Sequence, residues 1–183
     1  SEATSGAGGA GAGADAPAAK QYKYYPKDFQ PPAVKPLHLG LLVDVTGAQL
    51  QVTLHGTYRN DTSEPVTVVT LDCNSLEVLS VGVVEAGVAV DLEAKNFVEH
   101  TASFGAAADA AFEYNKADNK LAVTLPSPLA PGAQVVIRTV TNAVATEHIL
   151  EGVYLDHQHG DPAEFPRNLM SQCQQYGFQR IAP

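Results

Sequence analysis

The chain has 183 residues, 45% of them apolar, and a formal net charge of -9 at pH 7. This length allows one domain with a hydrophobic core. With only 11 Lys and Arg residues, the chain lacks the basic surface that nucleic acids and anionic membranes require. It contains no run of about 18 apolar residues, so we expect no segment that spans a bilayer.

Cysteine and methionine usage bears on the compartment. Cys73 and Cys173 are the only cysteines, and a small disulfide-stabilised domain would carry more. We therefore expect two free thiols and a soluble, intracellular protein. The only methionine is Met170, so the chain does not begin at an initiator. Its Ala/Gly-rich start is either the new N-terminus left by removal of an organellar transit peptide or a low-complexity extension.

The first 36 residues differ in composition from the rest. Residues 1–20 are rich in Gly, Ala and Ser. They cannot bury enough apolar surface to offset the entropy of ordering, which predicts a flexible tail. Residues 21–36 hold four aromatic residues followed by Pro31 and Pro32, which predicts an extended segment because proline fixes φ and removes a donor. The β-domain is expected at 37–183.

Apolar and polar residues alternate with period two from Leu37 onwards, which predicts β-strands. The segments 37–45 and 50–58 flank a Thr46-Gly47 turn, so we predict an antiparallel hairpin with one buried face. Asn60 begins the next predicted turn. Further strands are predicted at 66–73, 76–84, 87–92, 120–125 and 133–141.

Prolines and alanines interrupt this pattern. Pro126 and Pro128 are expected to stop the strand that begins at Lys120. The Ala-rich residues 102–111 are predicted to form a loop with at most one helical turn. Because strands recur regularly and no helix longer than two turns is indicated, the sequence predicts an all-β antiparallel sandwich.

The stretch from Glu147 to Ile181 is the most informative part of the chain. It reads L-E-G-V-Y at 150–154 and, after a polar loop, S-Q-C-Q-Q-Y-G-F-Q-R-I at 171–181. Residues 153–155 predict a short strand, and Gly160-Asp161-Pro162 predicts a turn. A set of polar side chains either meets a ligand at a sheet edge or is simply solvated: Gln172, Gln174, Gln175 and Arg180.

This order of motifs resembles the N-terminal domain of M1-family zinc aminopeptidases, in particular the bacterial alanyl-aminopeptidase branch. There, an L-E-G-L-Y-like strand precedes Q-C-E-x-E-G-F-R. The segment K-D-F-Q-P-P at 27–32 is similar to that branch's K-D-Y-x-P-P. Residues 71–81 resemble its L-D-G-x-D-L-x-L-x-S-V strand. The resemblance covers roughly residues 25–181 and implies the β-sandwich domain of that family.

The resemblance also implies that catalysis lies outside this chain. The family's H-E-x-x-H zinc motif and its G-A-M-E-N-like exopeptidase motif are both absent from the sequence. We therefore expect no catalytic residue, no zinc and no other cofactor here. His157 and His159 are expected to lie in a solvated acidic loop with Asp156 and Asp161. Cys173 has no flanking cation, so we expect a buried, inert thiol rather than a nucleophile.

Gln172 and Gln174 are the candidate substrate-binding residues, by resemblance only. In the resembling enzymes, the Gln and Glu of Q-C-E line the first substrate pocket, and the Glu helps to bind the free α-amino group. Gln172 matches the Gln. Gln174 stands where the family has Glu, so a hydrogen-bonding group remains but the counter-charge is lost.

The sequence leaves two main functions open. The chain is either a substrate-supporting, non-catalytic domain of a larger enzyme or a stand-alone scaffold subunit of a larger, for example organellar, complex. A carbohydrate-binding or adhesion sandwich is a third alternative, because fold alone does not give function. In the family, the domain continues beyond the position of Ile181. We therefore expect that the last strands are missing and that another chain, or the remainder of the same protein, completes the sheet.

Overall fold

The computed structural model describes residues 32–84, 107–147, 149–156, 160–161, 163–164, 167–174 and 177–183. The predicted tail, most of the segment 21–36 and the predicted strand at 87–92 lie outside the described residues. His157, His159 and Gln175 also lie outside them. Within the described part of the chain, no helix is long and apolar enough to cross a membrane.

The described residues form strands and one short 3₁₀ helix. The strands are β1 Val34–Thr46, β2 Gln49–Asn60, β3 Val66–Asp72, β4 Glu77–Val84, β5 Ala108–Asp109, β6 Phe112–Asn115, β7 Lys120–Leu129, β8 Gln134–Val144, β9 Gly152–Leu155 and β10 Leu169–Gln172; the 3₁₀ helix is Gly177–Arg180. One sheet has the order β1-β2-β8-β4-β5, a second has the order β3-β7-β6, and β9 and β10 form a separate ribbon. All of these strand pairs are antiparallel. The all-β antiparallel sandwich is thus confirmed.

The core lies between the two larger sheets. Val52 and Leu54 of β2 meet Val69 of β3 and Leu121 and Val123 of β7, and none of these side chains is more than 1% exposed. Each fully buried side chain of this kind contributes about 1.5–3 kcal/mol. Val153, Ile181 and Ala182 belong to the same core. The C-terminal elements are therefore packed onto the sandwich rather than hanging from it.

The β1–β2 hairpin forms as predicted, but on the face predicted to be buried only the β2 side chains are buried, whereas most β1 side chains are exposed. Gly47 takes the turn with φ +62, and the register runs without interruption from His38↔Thr57 to Thr46↔Gln49. On the predicted buried face of β1, however, Leu39, Val43 and Val45 are 40%, 43% and 54% exposed. Period two shows which side chains share a face. It does not show how many strands the opposite sheet has. That sheet has only three strands among the described residues, so it does not cover the apolar side chains of β1 at the edge of the larger sheet.

The prediction that Pro126 and Pro128 end their strand is wrong, because β7 continues to Leu129. The β3–β7 ladder passes from Val68↔Thr124 directly to Val66↔Leu129, so several β7 residues bulge out opposite Thr67. On its other side, β7 pairs with β6 only over residues 120–123. Both prolines therefore lie where no ladder hydrogen bond requires their missing N–H.

β8 extends to Val144, beyond its predicted end at 141. Asn142, predicted to end the strand, is paired on both sides. It pairs in register with Gln51 on one side and Glu77 on the other. Its side-chain amide accepts a hydrogen bond from Gln51 Nε2 at 3.4 Å and donates one to Glu77 Oε2 at 2.9 Å. The segment 102–111, predicted to be a loop, contributes the two-residue strand β5, which pairs with β4.

Asn60 holds the predicted turn between β2 and β3 through its side chain. The residue is fully buried, and its Nδ2 donates to the carbonyl oxygens of Glu64 and Leu129, both at 2.8 Å. Its Oδ1 accepts from the Thr62 N–H at 2.8 Å and from the Thr62 hydroxyl at 2.7 Å. The buried amide therefore has its polar atoms satisfied and links the turn to the end of β7.

Candidate functional site

The candidate site lies on the ribbon formed by β9 and β10, here called the C-terminal ribbon. Its register runs from Leu155↔Leu169 to Gly152↔Gln172, so the predicted strand at 153–155 is confirmed. Thr146, just beyond β8, attaches the ribbon to the sandwich. Its N–H donates to the Val153 carbonyl at 3.1 Å, and its carbonyl accepts from the Leu155 N–H at 3.0 Å.

Two glycines explain much of the sequence pattern at this site. Gly152 has φ +72, and a Cβ there would lie 2.6 Å from the Arg180 Cβ. A Cβ on Gly177 would lie 2.2 Å from the Gln172 carbonyl oxygen and 3.0 Å from the Gly152 nitrogen. The 3₁₀ helix therefore packs directly against the ribbon backbone, as only glycine permits. Gly152 of L-E-G-V-Y and Gly177 of Y-G-F thus allow the 3₁₀ helix to contact the end of β10.

Gln172 and Gln174 are both exposed at that end of β10. Gln172 Nε2 donates a hydrogen bond to Gln174 Oε1 at 3.2 Å, so the structure brings the two predicted residues together. After this bond, the side-chain oxygen Oε1 of Gln172 can still accept a hydrogen bond, and the side-chain nitrogen Nε2 of Gln174 can still donate one. A carbonyl oxygen can accept a hydrogen bond from an ammonium group, but it supplies no negative charge.

Glu151 and Arg180 form a charged pair beside this end of the ribbon. Arg180 Nε lies 3.5 Å from Glu151 Oε2, and the arginine side chain is only 19% exposed. Because Glu151 directly precedes the residue that pairs with Gln172, its carboxylate lies at the same end of the ribbon. The sequence offers Arg180 as a ligand-facing or solvated residue. In the structure it packs against the ribbon, within ion-pair distance of this carboxylate.

At the opposite end of the ribbon, hydrogen bonds that the sequence does not indicate hold the two strands together. Asn168 donates from its backbone N–H and its Nδ2 to the two carboxylate oxygens of Asp156, at 2.7 and 2.8 Å. Arg167 donates from Nε to the Asp156 carbonyl and from Nη1 to Glu147 Oε1, both at 2.7 Å. Asp156 is therefore not simply a solvated residue. It fixes the start of the loop between β9 and β10.

The two cysteines differ in their environment. Both are free thiols, Cys73 buried and Cys173 exposed. Burial raises the pKa of the Cys73 thiol, which keeps it protonated and inert. The prediction that Cys173 is buried is wrong, because the residue follows the last position of β10, where the chain leaves the ribbon. Neighbouring residue types could not reveal this exposure.

The described residues do not fit a zinc centre. They contain no group of three or more His, Cys, Asp or Glu side chains that could hold a metal ion, whereas a zinc site needs three or four converging ligands. What the described residues at the exposed end of β10 offer to a bound molecule is hydrogen bonds from the side chains of Gln172 and Gln174.

A separate cavity of about 570 Å³ lies between β4, β6 and the end of β8. Glu77 lines it, held by Asn142 as described above, and Lys116 lies 5.8 Å from the centroid of the Tyr114 ring. Sequence reasoning did not identify this cavity, because its residues come from segments far apart in the chain. Its lining combines a carboxylate, an ammonium group and aromatic rings.

Comparison with known proteins identifies a fold. No protein-family model and no curated protein sequence matches the chain. A solved structure of an M1 zinc metallopeptidase mutant from Deinococcus radiodurans, bound to a Tyr-Ser-Ala substrate, matches with a TM-score of 0.55 and 16% identity. Two structures of a two-domain M1 zinc metallopeptidase mutant match similarly. The one bound to L-tryptophan has a TM-score of 0.54 and 16% identity, and the one bound to L-arginine 0.52 and 17%.

Each of these matches covers 82% of this chain but only 29% of the matched chain. The described sandwich therefore has an M1-like fold, and the chain spans less than a third of the length of those metallopeptidases.

Proposed function

We propose that this chain is the non-catalytic N-terminal β-domain of an M1-type zinc aminopeptidase of the bacterial alanyl-aminopeptidase-like branch. In this role, it supports substrate binding while catalysis belongs to a domain outside these 183 residues. The observation that carries the proposal is the fold match over 82% of this chain and 29% of an M1 metallopeptidase. Such a share is what one domain of a larger enzyme contributes.

The proposed contact with substrate is made by the exposed end of β10. Gln172 accepts a hydrogen bond from the free amino group of the substrate, and its bond to Gln174 at 3.2 Å orients the pair. Hydrogen bonds to charged groups contribute about 1.5–3 kcal/mol, against about 0.5–1.5 kcal/mol for neutral pairs. A Gln pair recognises an ammonium group more weakly than a Gln–Glu pair does.

This role is tested in the native, zinc-bound protein with the variant Gln174→Glu. A carboxylate at this position restores the counter-charge, so we expect the KM for an aminoacyl amide to fall by roughly 5- to 10-fold, the equivalent of about 1 kcal/mol. The matched control is Ser171→Glu, which adds the same charge next to Gln172 but on the opposite face of β10 from the Gln172 side chain.

Two results count against the substrate role. One is an equal fall in KM for Ser171→Glu, which would show only a long-range charge effect. The other is an unchanged KM for Gln172→Ala. Separately, the purified 183-residue chain is expected to hold no stoichiometric zinc and to hydrolyse no aminoacyl amide. Release of free amino acid by the metal-loaded chain would place catalysis within it and overturn the assignment.

A second candidate function is a stand-alone scaffold subunit of a larger complex. Two features favour it: Gln174 replaces the acid of the resembling enzymes, and β1 exposes apolar residues along a sheet edge. The two functions differ in the native protein that they imply. A scaffold subunit copurifies with other chains and lacks aminopeptidase activity, whereas an enzyme domain belongs to a longer, active polypeptide.

A further inference from the structure

Among the described residues, β1 is the outermost strand on one side of the five-stranded sheet. It has 13 residues and, within the described part of the chain, it pairs with β2 alone. Natural sheets usually shorten such edges or protect them with charges and bulges. The protective features of β1 lie near its start, where it has Lys35, Pro36 and a bulge at Leu37. From His38 to Thr46 its pairing with β2 is unbroken, and Asp44 is the one Asp, Glu, Lys or Arg residue among mostly apolar ones. A long edge of this kind can pair with another strand.

A bulge determines which β1 residues share a face. The β1–β2 register passes from Pro36↔Tyr58 to His38↔Thr57, so Leu37 is an extra residue. An extra residue reverses the side-chain alternation that follows it. As a result, Lys35 and Asp44 lie on the same outer face, although nine positions in the sequence separate them.

The two charges are placed symmetrically about Gly40. In the ladder, Lys35 pairs with Arg59, Gly40 with His55 and Asp44 with Gln51. The lysine is therefore four ladder positions from the glycine on one side, and the aspartate is four positions from it on the other. Turning the strand end for end about Gly40 exchanges the places of the positive and the negative side chain.

We propose that β1 pairs antiparallel with β1 of a second copy of this chain, about a two-fold axis through Gly40. Each Lys35 then lies opposite the partner subunit's Asp44, and each Leu39 lies opposite the partner subunit's Leu41. Such an interface is isologous, with each contact made twice. It joins two five-stranded sheets into one continuous sheet.

The observations favour a second copy over an unrelated strand. An antiparallel partner with a negative group opposite Lys35 and a positive group opposite Asp44 is favoured by charge complementarity, and β1 itself supplies both at this spacing. The same register aligns apolar residues on the inner face, with Val34 opposite the partner subunit's Val45. The net charge of -9 per chain opposes association at long range. This repulsion is largely screened beyond about 8 Å at 0.15 M salt.

The charge pairs are tested by sedimentation equilibrium of the full chain at about 0.15 M salt. Lys35→Asp alone and Asp44→Lys alone each convert two attractive pairs into two repulsive ones, so we expect the dimer Kd to rise at least roughly tenfold. The double variant K35D/D44K keeps the net charge of the original chain and restores both pairs, so its Kd returns. An equal mixture of the two single variants should form heterodimers.

The register is tested by cysteine crosslinking in a Cys173→Ser background. Directly opposed residues have Cα atoms about 4.5–5.5 Å apart, within the range for a disulfide, so Gly40→Cys should crosslink two chains on oxidation. The matched control is Leu42→Cys. Its two copies lie four ladder positions, or about 13 Å, apart and should not crosslink.

Three results would overturn the proposal. The chain could remain monomeric at about 100 µM, where mass action favours association. Leu42→Cys could crosslink while Gly40→Cys does not, which would show another register. The double charge variant could fail to restore the dimer while the single variants weaken it. None of these results bears on the proposed role of Gln172, because β1 and the C-terminal ribbon are separate elements.

Discussion

Replacing Gly152 by alanine tests whether the contact between the ribbon and the 3₁₀ helix requires glycine. The φ of +72 costs an alanine about 1–2 kcal/mol. The new Cβ would also lie 2.6 Å from the Arg180 Cβ and 3.3 Å from the Gly177 carbonyl oxygen, so the helix must shift. Overpacking of this kind costs about 1–3 kcal/mol. We therefore expect Gly152→Ala to lower the free energy of unfolding by about 2–5 kcal/mol.

The matched control is Gly132→Ala. Gly132 has φ +75, and a Cβ there would meet nothing within 4 Å, so only the backbone cost of about 1–2 kcal/mol applies. Urea unfolding followed by circular dichroism measures both variants, since the chain has no tryptophan. If Gly152→Ala costs no more than Gly132→Ala, the close approach of the helix contributes nothing and the structural explanation of L-E-G-V-Y is refuted.

Three further predictions concern single side chains. Burial raises the pKa of Tyr58 to about 12 from its ordinary 10.0, so its neutral form contributes stability that is complete below pH 10 and is lost as the pH rises towards 12. The stability lost is on the order of a few kcal/mol. Tyr58→Phe should reduce this loss in urea titrations between pH 9 and 12, and an unchanged loss would refute the assignment. Asn60→Ala leaves the Leu129 carbonyl without the donor of its buried hydrogen bond and should lower the free energy of unfolding by about 1–3 kcal/mol; a cost below about 0.5 kcal/mol, ordinary for a surface site, would contradict it. A thiol reagent should modify Cys173 in the folded chain and Cys73 only after denaturation, as mass spectrometry of labelled peptides would show; rapid labelling of both in the folded chain would contradict the burial of Cys73.

Local sequence patterns were sufficient for most of the sandwich. Alternation from Leu37 and the turn at Gly47 predict the first hairpin because side-chain period and turn chemistry are local properties. The failures involve long-range partners. Pro126 and Pro128 stay inside β7 because the neighbouring strands require no hydrogen bond from them there. The apolar face of β1 is exposed because the opposing sheet is narrow.

The candidate site was predictable in part. The resemblance brought attention to Gln172 and Gln174, and the structure brings them within hydrogen-bond distance of each other. Two features depend on how the 3₁₀ helix packs, which no local pattern indicates: the position of Arg180 beside Glu151 and the close approach at Gly152. The exposure of Cys173, where the chain leaves β10, is also not indicated by its neighbours in the sequence. The glycine motif is explained by that packing.

The intact mass of the native polypeptide under denaturing conditions, beside the mass of the native protein, tests the central claim most directly. Matched M1 metallopeptidases are covered over only 29% of their length, so the account predicts a polypeptide several times heavier than 19.2 kDa. That polypeptide should bind zinc and release amino acids from aminoacyl amides. A native polypeptide of 19.2 kDa within a much heavier assembly would contradict the enzyme-domain account and support a scaffold subunit.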